Sequence, residues 1–490
     1  MINEAILSID QGTTNSKAIL LDKDGRILAQ GSSSLSIGYP QPGWVEQSAE
    51  EIWSSVVEAV RLCLEQSPTT RIIAIGLSNQ RESVLAWDSI SGQSLAPVIT
   101  WQCRRTAAES ERLKSEGNEA TVLALTGLPL DPLFPASKIR WLMDNTQGAH
   151  RCIGTVDSWL IWKLTGGQRF ATDRSNASRT QLLNVQSGQW DESLCELFGV
   201  DISLLAEVTN SSHMFGQTSG VPGLTDGIPV TSAIGDSHAA LFGHAAFQPG
   251  DAKVTFGTGS SVMMIAGAFK VPGDGMTSTI AWSINDEITY ALEGNILVSA
   301  SLFPWAATLL GLDGNVDRLM ELAESVEHTN GVVLVPALVG LGAPHWNPEA
   351  RGILEGLSFS STPAHIAHAA ALSMSLQVVD VFAAMYQQSA SPRAHVNVDG
   401  GPTRNRFLMQ SLADLLMQPV SISEAPELSA MGAGMLAGLE TGFWSGMEEV
   451  HDLHRERVTI QPVMLEQKRA TIVSGWNDAV LKCQYKATSV

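Results

Sequence analysis

The fold class this sequence predicts is α/β, in two domains, and three observations carry the prediction. At 490 residues the chain is too long for one ordinary hydrophobic core. Its first thirty residues read as short strands joined by Gly/Thr and Asp/Gly turns, and a clearly amphipathic helical segment follows. The same theme of a strand entering a glycine turn returns at Val254-Thr255-Phe256-Gly257-Thr258-Gly259.

Residues 4–10 and 17–22 alternate as strands about a Gly/Thr turn, and Asp22-Lys23-Asp24-Gly25 turns the chain into a third strand near 26–30. Ser48 followed by Glu51 makes a capping box, and Ile52, Val56, Val57, Val60 and Leu64 then recur at helical spacing, which predicts a helix over 49–65. Residues 71–77 return to strand. The second glycine-turn strand sets a domain boundary near 245, giving domains 1–244 and 245–490. Further on, Thr362-Pro363 opens a long helix with proline at its first position, residues 396–401 form a strand ending in a glycine turn, and the small residues of 430–438 suit a closely packed helix. The duplicated theme is too slight on its own to establish an internal repeat, and no low-complexity linker interrupts the chain.

Composition narrows the function. Thirty Lys and Arg stand against fifty Asp and Glu, a net charge of −20, which disfavours a nucleic-acid or anionic-membrane surface. A polyphosphate would have to be held locally, by backbone amides, a metal and a few basic side chains. Cys63, Cys103, Cys152, Cys195 and Cys483 contain no C-x-x-C pair, the pattern of reduced thiols in a cytoplasmic protein. The N-terminus runs straight into a strand, so no signal peptide is expected, and the apolar run 331–344 is broken by glycine and proline and too short to span a bilayer. His238, His345 and His365 lack metal-ligand spacing and read as structural or surface residues.

Chemistry concentrates in a few segments. Gly235-Asp236-Ser237-His238-Ala239-Ala240-Leu241-Phe242-Gly243 sets one carboxylate among small and apolar residues. Asp10-Gln11-Gly12-Thr13-Thr14 closes the first strand. There glycine lets backbone amides approach phosphate oxygens, Thr13 and Thr14 add hydroxyl donors, Asp10 can hold a hydrated Mg²⁺, and Lys17 adds charge nearby; an ordinary turn explains the same residues. Gly257-Thr258-Gly259 is a second such loop. Asp399-Gly400-Gly401-Pro402-Thr403-Arg404-Asn405 is a third, leading into a helix whose positive end can face a nucleotide. Three glycine loops divided between two α/β halves is, by analogy of fold, the arrangement of the sugar kinases, Hsp70 and actin.

Longer motifs make a resemblance specific. The sequence resembles the FGGY carbohydrate kinases, and among them the glycerol kinase branch, through Tyr39-Pro40-Gln41-Pro42-Gly43-Trp44-Val45-Glu46, Asn79-Gln80-Arg81-Glu82, Trp101-Gln102-Cys103-Arg104-Arg105-Thr106, the segment 154–167, Asn176-Ala177-Ser178-Arg179-Thr180 and Gly340-Leu341-Gly342-Ala343-Pro344. The likeness runs from about residue 4 to about residue 445. It implies two actin-like ATPase (ribonuclease H-like) domains with the active site in the interdomain cleft. It implies Asp236 as general base and Asp10 at magnesium, with Thr14, Thr258, Gly401 and Asn405 at ATP, joined there by Thr13, Lys17 and Gly259 of the same loops. Arg81, Glu82 and Trp101 are implied around the substrate hydroxyls. Asp236 capping its own helix, Arg81 and Glu82 forming a surface ion pair, and Trp101 as a core residue are the plain alternatives.

Departures from the branch fall on the acceptor side. Where it has tyrosine in Asp-Pro-Tyr-Phe, this sequence has Leu133; where glutamine follows the catalytic aspartate, it has Ser237; where an aromatic follows the second glycine loop, it has Ser261. Ala300 and Pro304 replace a glycine and a glutamine expected near the nucleotide. The expected protein is an ATP- and Mg²⁺-dependent kinase of glycerol or a related polyol, with a larger polyol or a ketopentose such as xylulose as the alternative acceptor, active in the cytoplasm as a monomer or a homo-oligomer (dimer or tetramer). Two other classes share the fold: a chaperone ATPase, which has no use for Arg81 and Glu82, and a silent sugar-binding regulator, which the retained Asp236 argues against.

Overall fold

The computed structural model describes residues 3–273, 275–389, 393, 395–453 and 457–485. The chain forms two compact units, each drawn from separate stretches of sequence: Met1–Ala245, Ser278–Ala291 and Ala425–Arg455 make the first, and Ala246–Thr277, Leu292–Glu424 and Glu456–Val490 the second.

In the first unit a six-stranded mixed sheet runs in the order Ser212–Gln217, Pro229–Gly235, Arg71–Asn79, Glu4–Gln11, Asn15–Leu21, Ile27–Ser34. The three central strands pair in parallel and the others antiparallel. Ala49–Glu65 is the predicted helix to the residue, with Ser48 Oγ accepting from Glu51 N at 3.2 Å. Only half of the capping box forms, because the Glu51 carboxylate accepts from Ser36 Oγ instead. Ile52, Val56 and Val60 are buried in the sheet's core cluster with Leu7, Ile9 and Ile75.

The other helices against this sheet owe their place to missing side chains. Leu428–Glu440 has a buried row of small residues, and Ser8 Oγ donates to its Ala430 O. A Cβ at Gly432 would stand 1.9 Å from Ala239 O of helix Asp236–Gly243, and one at Gly76 would stand 2.4 Å from Ala433 O. Such contacts are closed to any other residue. This fit draws a segment from 428–440 into the first unit, far from its sequence neighbours. A smaller sheet of Glu46–Gln47, Val98–Ile99, Val84–Asp88 and Arg151–Thr155 builds a second core with Ile139 and Leu142.

The second unit repeats the plan. Strand Ala252–Phe256 pairs antiparallel with Ser260–Ala266 and parallel with Val396–Gly400, which continues to Val420–Ser423 and Arg457–Ile460. The pairing of Asp10 with Ser78 in the first unit has its counterpart in Thr255 with Asp399 in the second. The repeat that sequence only hinted at is therefore carried by strand pairing. Helix Pro363–Ser389 starts at the proline the sequence marked, and it is long and apolar enough to cross a membrane. Since 83% of its apolar window is buried within the protein, it is a core helix. His365, His368 and Asp380 interrupt its apolar sequence.

Candidate active site

In the first unit, the strand Pro229–Gly235 delivers its C-terminal end into helix Asp236–Gly243, so Asp236 lies in the helix's first turn, where the dipole favours a carboxylate. Asp236 Oδ1 accepts from Ser237 N at 2.5 Å and lies 3.2 Å from Arg81 Nε, and Ser429 Oγ donates to its backbone carbonyl at 3.0 Å. Asp236 retains 37% side-chain exposure while Arg81 keeps only 11%, leaving the carboxylate reachable and its partner fixed. Gly235 makes this contact possible. A Cβ there would meet Arg81 Cγ at 2.7 Å and Cδ at 2.8 Å.

The turn holding Asp236 is braced from behind. Gly235 N donates to Ser175 Oγ at 3.0 Å, Ser175 Oγ donates to Asp173 Oδ1 at 3.0 Å, and the Asp173 carboxylate also accepts from Ser211 Oγ and Asn176 Nδ2. Asn176 and Asn79 then bond reciprocally at 3.0 and 3.1 Å. Every member of this chain is buried, so each polar group needs the next.

Asp10 is the penultimate residue of the central strand Glu4–Gln11, and its Oδ1 accepts from Ser78 Oγ at 2.8 Å, the residue it pairs with in the sheet. Burial, then the negative charge of Asp236, push its carboxyl up to about 6, against the pull of Ser78 and Lys17. Lys17 is not a free cation beside the loop, for its Nζ pairs with Glu427 at 2.7 Å. Thr13 is tied in as well: its carbonyl accepts from Gln47 Nε2 at 2.7 Å and its hydroxyl from Trp101 Nε1 at 3.1 Å. Thr14 is exposed at the loop tip.

Arg81 and Glu82 do not pair with each other at the surface. Glu82 is buried, adopts a left-handed φ of 58°, and pairs with Arg179 Nε at 2.5 Å. A non-glycine residue held in that conformation marks local strain of the kind functional sites store. Arg179, itself buried and set over the Phe134 ring, was passed over by sequence reasoning although it stands in the quoted segment 176–180. Trp101 is half-buried, neither free nor core. Leu133 is half-buried in the turn before helix Ala136–Asn145, and Ser237 half-buried beside Asp236.

The second unit holds the remaining positions. Gly257 and Thr258 are exposed, and their loop is closed by Gly257 N to Gly259 O at 2.8 Å and by Ser299 N to Thr258 O at 3.0 Å. A Cβ at Gly259 would meet Ile296 O at 2.4 Å, which explains the second glycine. Ser261 Oγ is buried without a hydrogen-bond partner. Gly400 turns the chain at φ 99°, where a Cβ would strike Phe256 O at 2.0 Å, and Gly401 beside it faces open space. Asn405 caps helix Arg406–Leu416, its Oδ1 accepting from Leu408 N at 2.9 Å, so one end of its amide is already committed. Ala300 N donates to Gly257 O, and Pro304 lies in the first turn of helix Leu302–Leu309. Among the described residues no group of three or more His, Cys, Asp or Glu side chains that could hold a metal ion occurs.

An aspartate at a strand-to-helix turn, a second carboxylate on the neighbouring strand and exposed glycine loops in both units are the parts of a phosphotransferase. Residues 5–243 match the N-terminal domain, and residues 252–441 the C-terminal domain, of the FGGY family of carbohydrate kinases. The chain belongs to that family, and it is a kinase acting on an alcohol group. It is 43% identical, over 99% of its length and 99% of the relative's, to an apulose kinase of Pectobacterium atrosepticum, and 43% identical, over 97% and 98%, to a glycerol kinase of Aromatoleum aromaticum. The crystal structure of Plasmodium falciparum glycerol kinase with ADP superposes with a TM-score of 0.94 at 30% identity, covering 99% of both chains. A ligand-bound xylulose kinase from Lactobacillus acidophilus shares the fold, with a TM-score of 0.89 at 21% identity over 98% and 97%. The two α/β domains are therefore of the actin-like ATPase type.

Proposed function

We propose that this kinase transfers the γ-phosphoryl group of MgATP to a hydroxyl of a polyol or ketose larger than glycerol, with Asp236 as the general base. The observation that carries the reading is the Asp236 carboxylate, still reachable and held at 3.2 Å from Arg81. A carboxylate so placed accepts the hydroxyl proton as the acceptor oxygen bonds to phosphorus and ADP leaves; Arg81 orients it. Thr13, Thr14, Thr258, Gly259 and Gly401 present loop amides and hydroxyls suited to phosphate oxygens, and Asn405 retains an amide donor for the nucleotide. Lys17 contributes less than an unpaired lysine would, because Glu427 offsets its charge. The ADP in the Plasmodium relative supports ATP as donor.

Mg²⁺ fits the Asp10 position. Its carboxylate is destabilised by burial and by Asp236, and Mg²⁺ is usually held by one or two carboxylates with water and phosphate completing the shell. When bound, the ion would neutralise charge on the transferring phosphates. Asp10 would hold it and Ser78 would fix the orientation of Asp10.

The acceptor reading rests on Leu133, Ser237 and Ser261. Each replaces a larger or hydroxyl-bearing residue of the glycerol kinase branch. Arg81, Glu82 and Trp101 remain to bind the end of the molecule that glycerol shares. A missing apolar contact or hydrogen bond costs on the order of 1 kcal/mol, about fivefold in affinity, so glycerol should be the poorer substrate. The apulose kinase relative supports a sugar acceptor; the glycerol kinase relatives support plain glycerol as the second reading. The test is kcat/KM over glycerol, tetritols, pentitols, xylulose and apulose, for the wild type and for Leu133→Tyr/Ser237→Gln/Ser261→Phe. The triple change is expected to shift preference towards glycerol. Glycerol as best wild-type substrate, with no effect of the triple change, would leave a glycerol kinase.

A further inference from the structure

The first turn of helix Ala136–Asn145 holds a fully buried lysine. Lys138 is 0% exposed, and its three N–H donors meet three backbone carbonyls: Leu133 O at 2.8 Å, Thr100 O at 3.0 Å and Trp101 O at 3.2 Å. Among the described residues its ammonium makes no ion pair, and burying a cation without a counter-ion is costly. A methionine or leucine would fill the same volume without that cost. Packing alone does not account for this residue.

What the ammonium joins does account for it. Trp101 and Leu133 come from separate turns, and Lys138 supplies a hydrogen bond to each, setting one relative to the other. Trp101 is further bound through its N–H to Ser83 Oγ at 3.1 Å and through its indole to Thr13. We propose that Lys138 is a positioning residue that fixes the spacing between Trp101 and Leu133, and through it the size of acceptor the enzyme takes. This rests on the reading of Trp101 and Leu133 as acceptor-binding residues given above.

Burial depresses the Lys138 ammonium to about 7, with Cys103, Glu82 and Asp131 opposing that shift and Arg105 reinforcing it. Once deprotonated, the amine keeps two donors for three carbonyls, so the joint should loosen as pH rises. Of these groups Arg105 pairs with Glu46 and donates to Cys103 Sγ, Glu82 pairs with Arg179, and Asp131 lies 3.8 Å from Arg104 and accepts from Leu133 N.

The experiment compares wild type, Lys138→Met and Asp236→Asn in steady-state assays with glycerol and with the best acceptor of the panel, between pH 6 and pH 8.5. Lys138→Met is expected to raise the acceptor KM about tenfold or more and to narrow the preference between the two acceptors, with the KM for ATP within about twofold of wild type. Wild-type acceptor KM should climb above pH 7 while that of Lys138→Met stays flat. A purely structural lysine would lower stability and active fraction without separating the two KM values. An unchanged acceptor KM in Lys138→Met overturns the proposal. Should that variant fail to fold, the wild-type profile decides: an acceptor KM flat across the range, or one that rises in step with the KM for ATP, overturns it as well. A wild type without kinase activity on any acceptor, or an Asp236→Asn variant of normal turnover, would instead defeat the functional reading beneath it.

Discussion

Gly235→Ala asks the site to accept one methyl group. Gly235 has φ −65° and ψ 144°, a conformation open to alanine, so the backbone has no reason to move. The added Cβ would lie 2.7 Å from Arg81 Cγ, 2.8 Å from Arg81 Cδ and 3.0 Å from His238 Nδ1. Carbon atoms in contact settle at about 3.5–4.0 Å, so the arginine stem must retreat by about 1 Å. Its 3.2 Å approach to Asp236 then opens beyond hydrogen-bonding range. A hydrogen bond to a charged group contributes about 1.5–3 kcal/mol, which converts to a loss of about 10- to 150-fold in kcat/KM if the contact persists in the transition state. Crowding costs about 1–3 kcal/mol in stability, which a domain of this size tolerates. The assay is kcat/KM for wild type, Gly235→Ala, Arg81→Ala and the double variant. Because the methyl acts through Arg81, the double variant should match Arg81→Ala alone. A Gly235→Ala enzyme within about twofold of wild type, or a double variant showing the product of both single losses, would refute the reasoning.

Asp236→Asn should leave acceptor and ATP binding within a few-fold while lowering turnover by roughly 100-fold or more, since it keeps the shape and removes the proposed proton acceptor; steady-state kinetics decide it. The buried Asp157 gives a pH dependence of stability. Burial, then the Asp173 carboxylate, push its carboxyl up to about 7, and its Oδ1 has no hydrogen-bond partner. The folded state thus holds a proton that the unfolded chain releases above an ordinary 3.8, so stability should be fullest below that value and decline as pH rises through about 7, by at most about 4 kcal/mol. Asp157→Asn, which imitates the protonated form, should lose less between pH 5.5 and pH 8.5 in urea titrations; parallel curves for the two proteins would count against it.

The sequence alone determined the local features. A helix over 49–65 was legible because Ser48 and a 3.6-residue apolar rhythm act within the helix itself, and turn glycines such as Gly25 at φ 81° and Gly400 at φ 99° were legible because glycine adopts those conformations at the least cost. Family membership was legible because motifs such as Gln80-Arg81-Glu82 and the segment 176–180 are contiguous. Tertiary structure decided everything that depends on residues distant along the chain. Lys17 meets Glu427 across 410 positions, and helix Leu428–Glu440 joins the first unit because Gly76, Gly243 and Gly432 clear space for it. Arg81 contacts Asp236, and Glu82 pairs with Arg179, so the alternative of an ion pair between these two sequence neighbours does not form. Adjacent side chains in extended or left-handed backbone point in different directions, so sequence proximity does not fix their partners. A buried charge takes whatever counter-charge or donor set the fold brings within reach, and only the packed chain specifies which one that is.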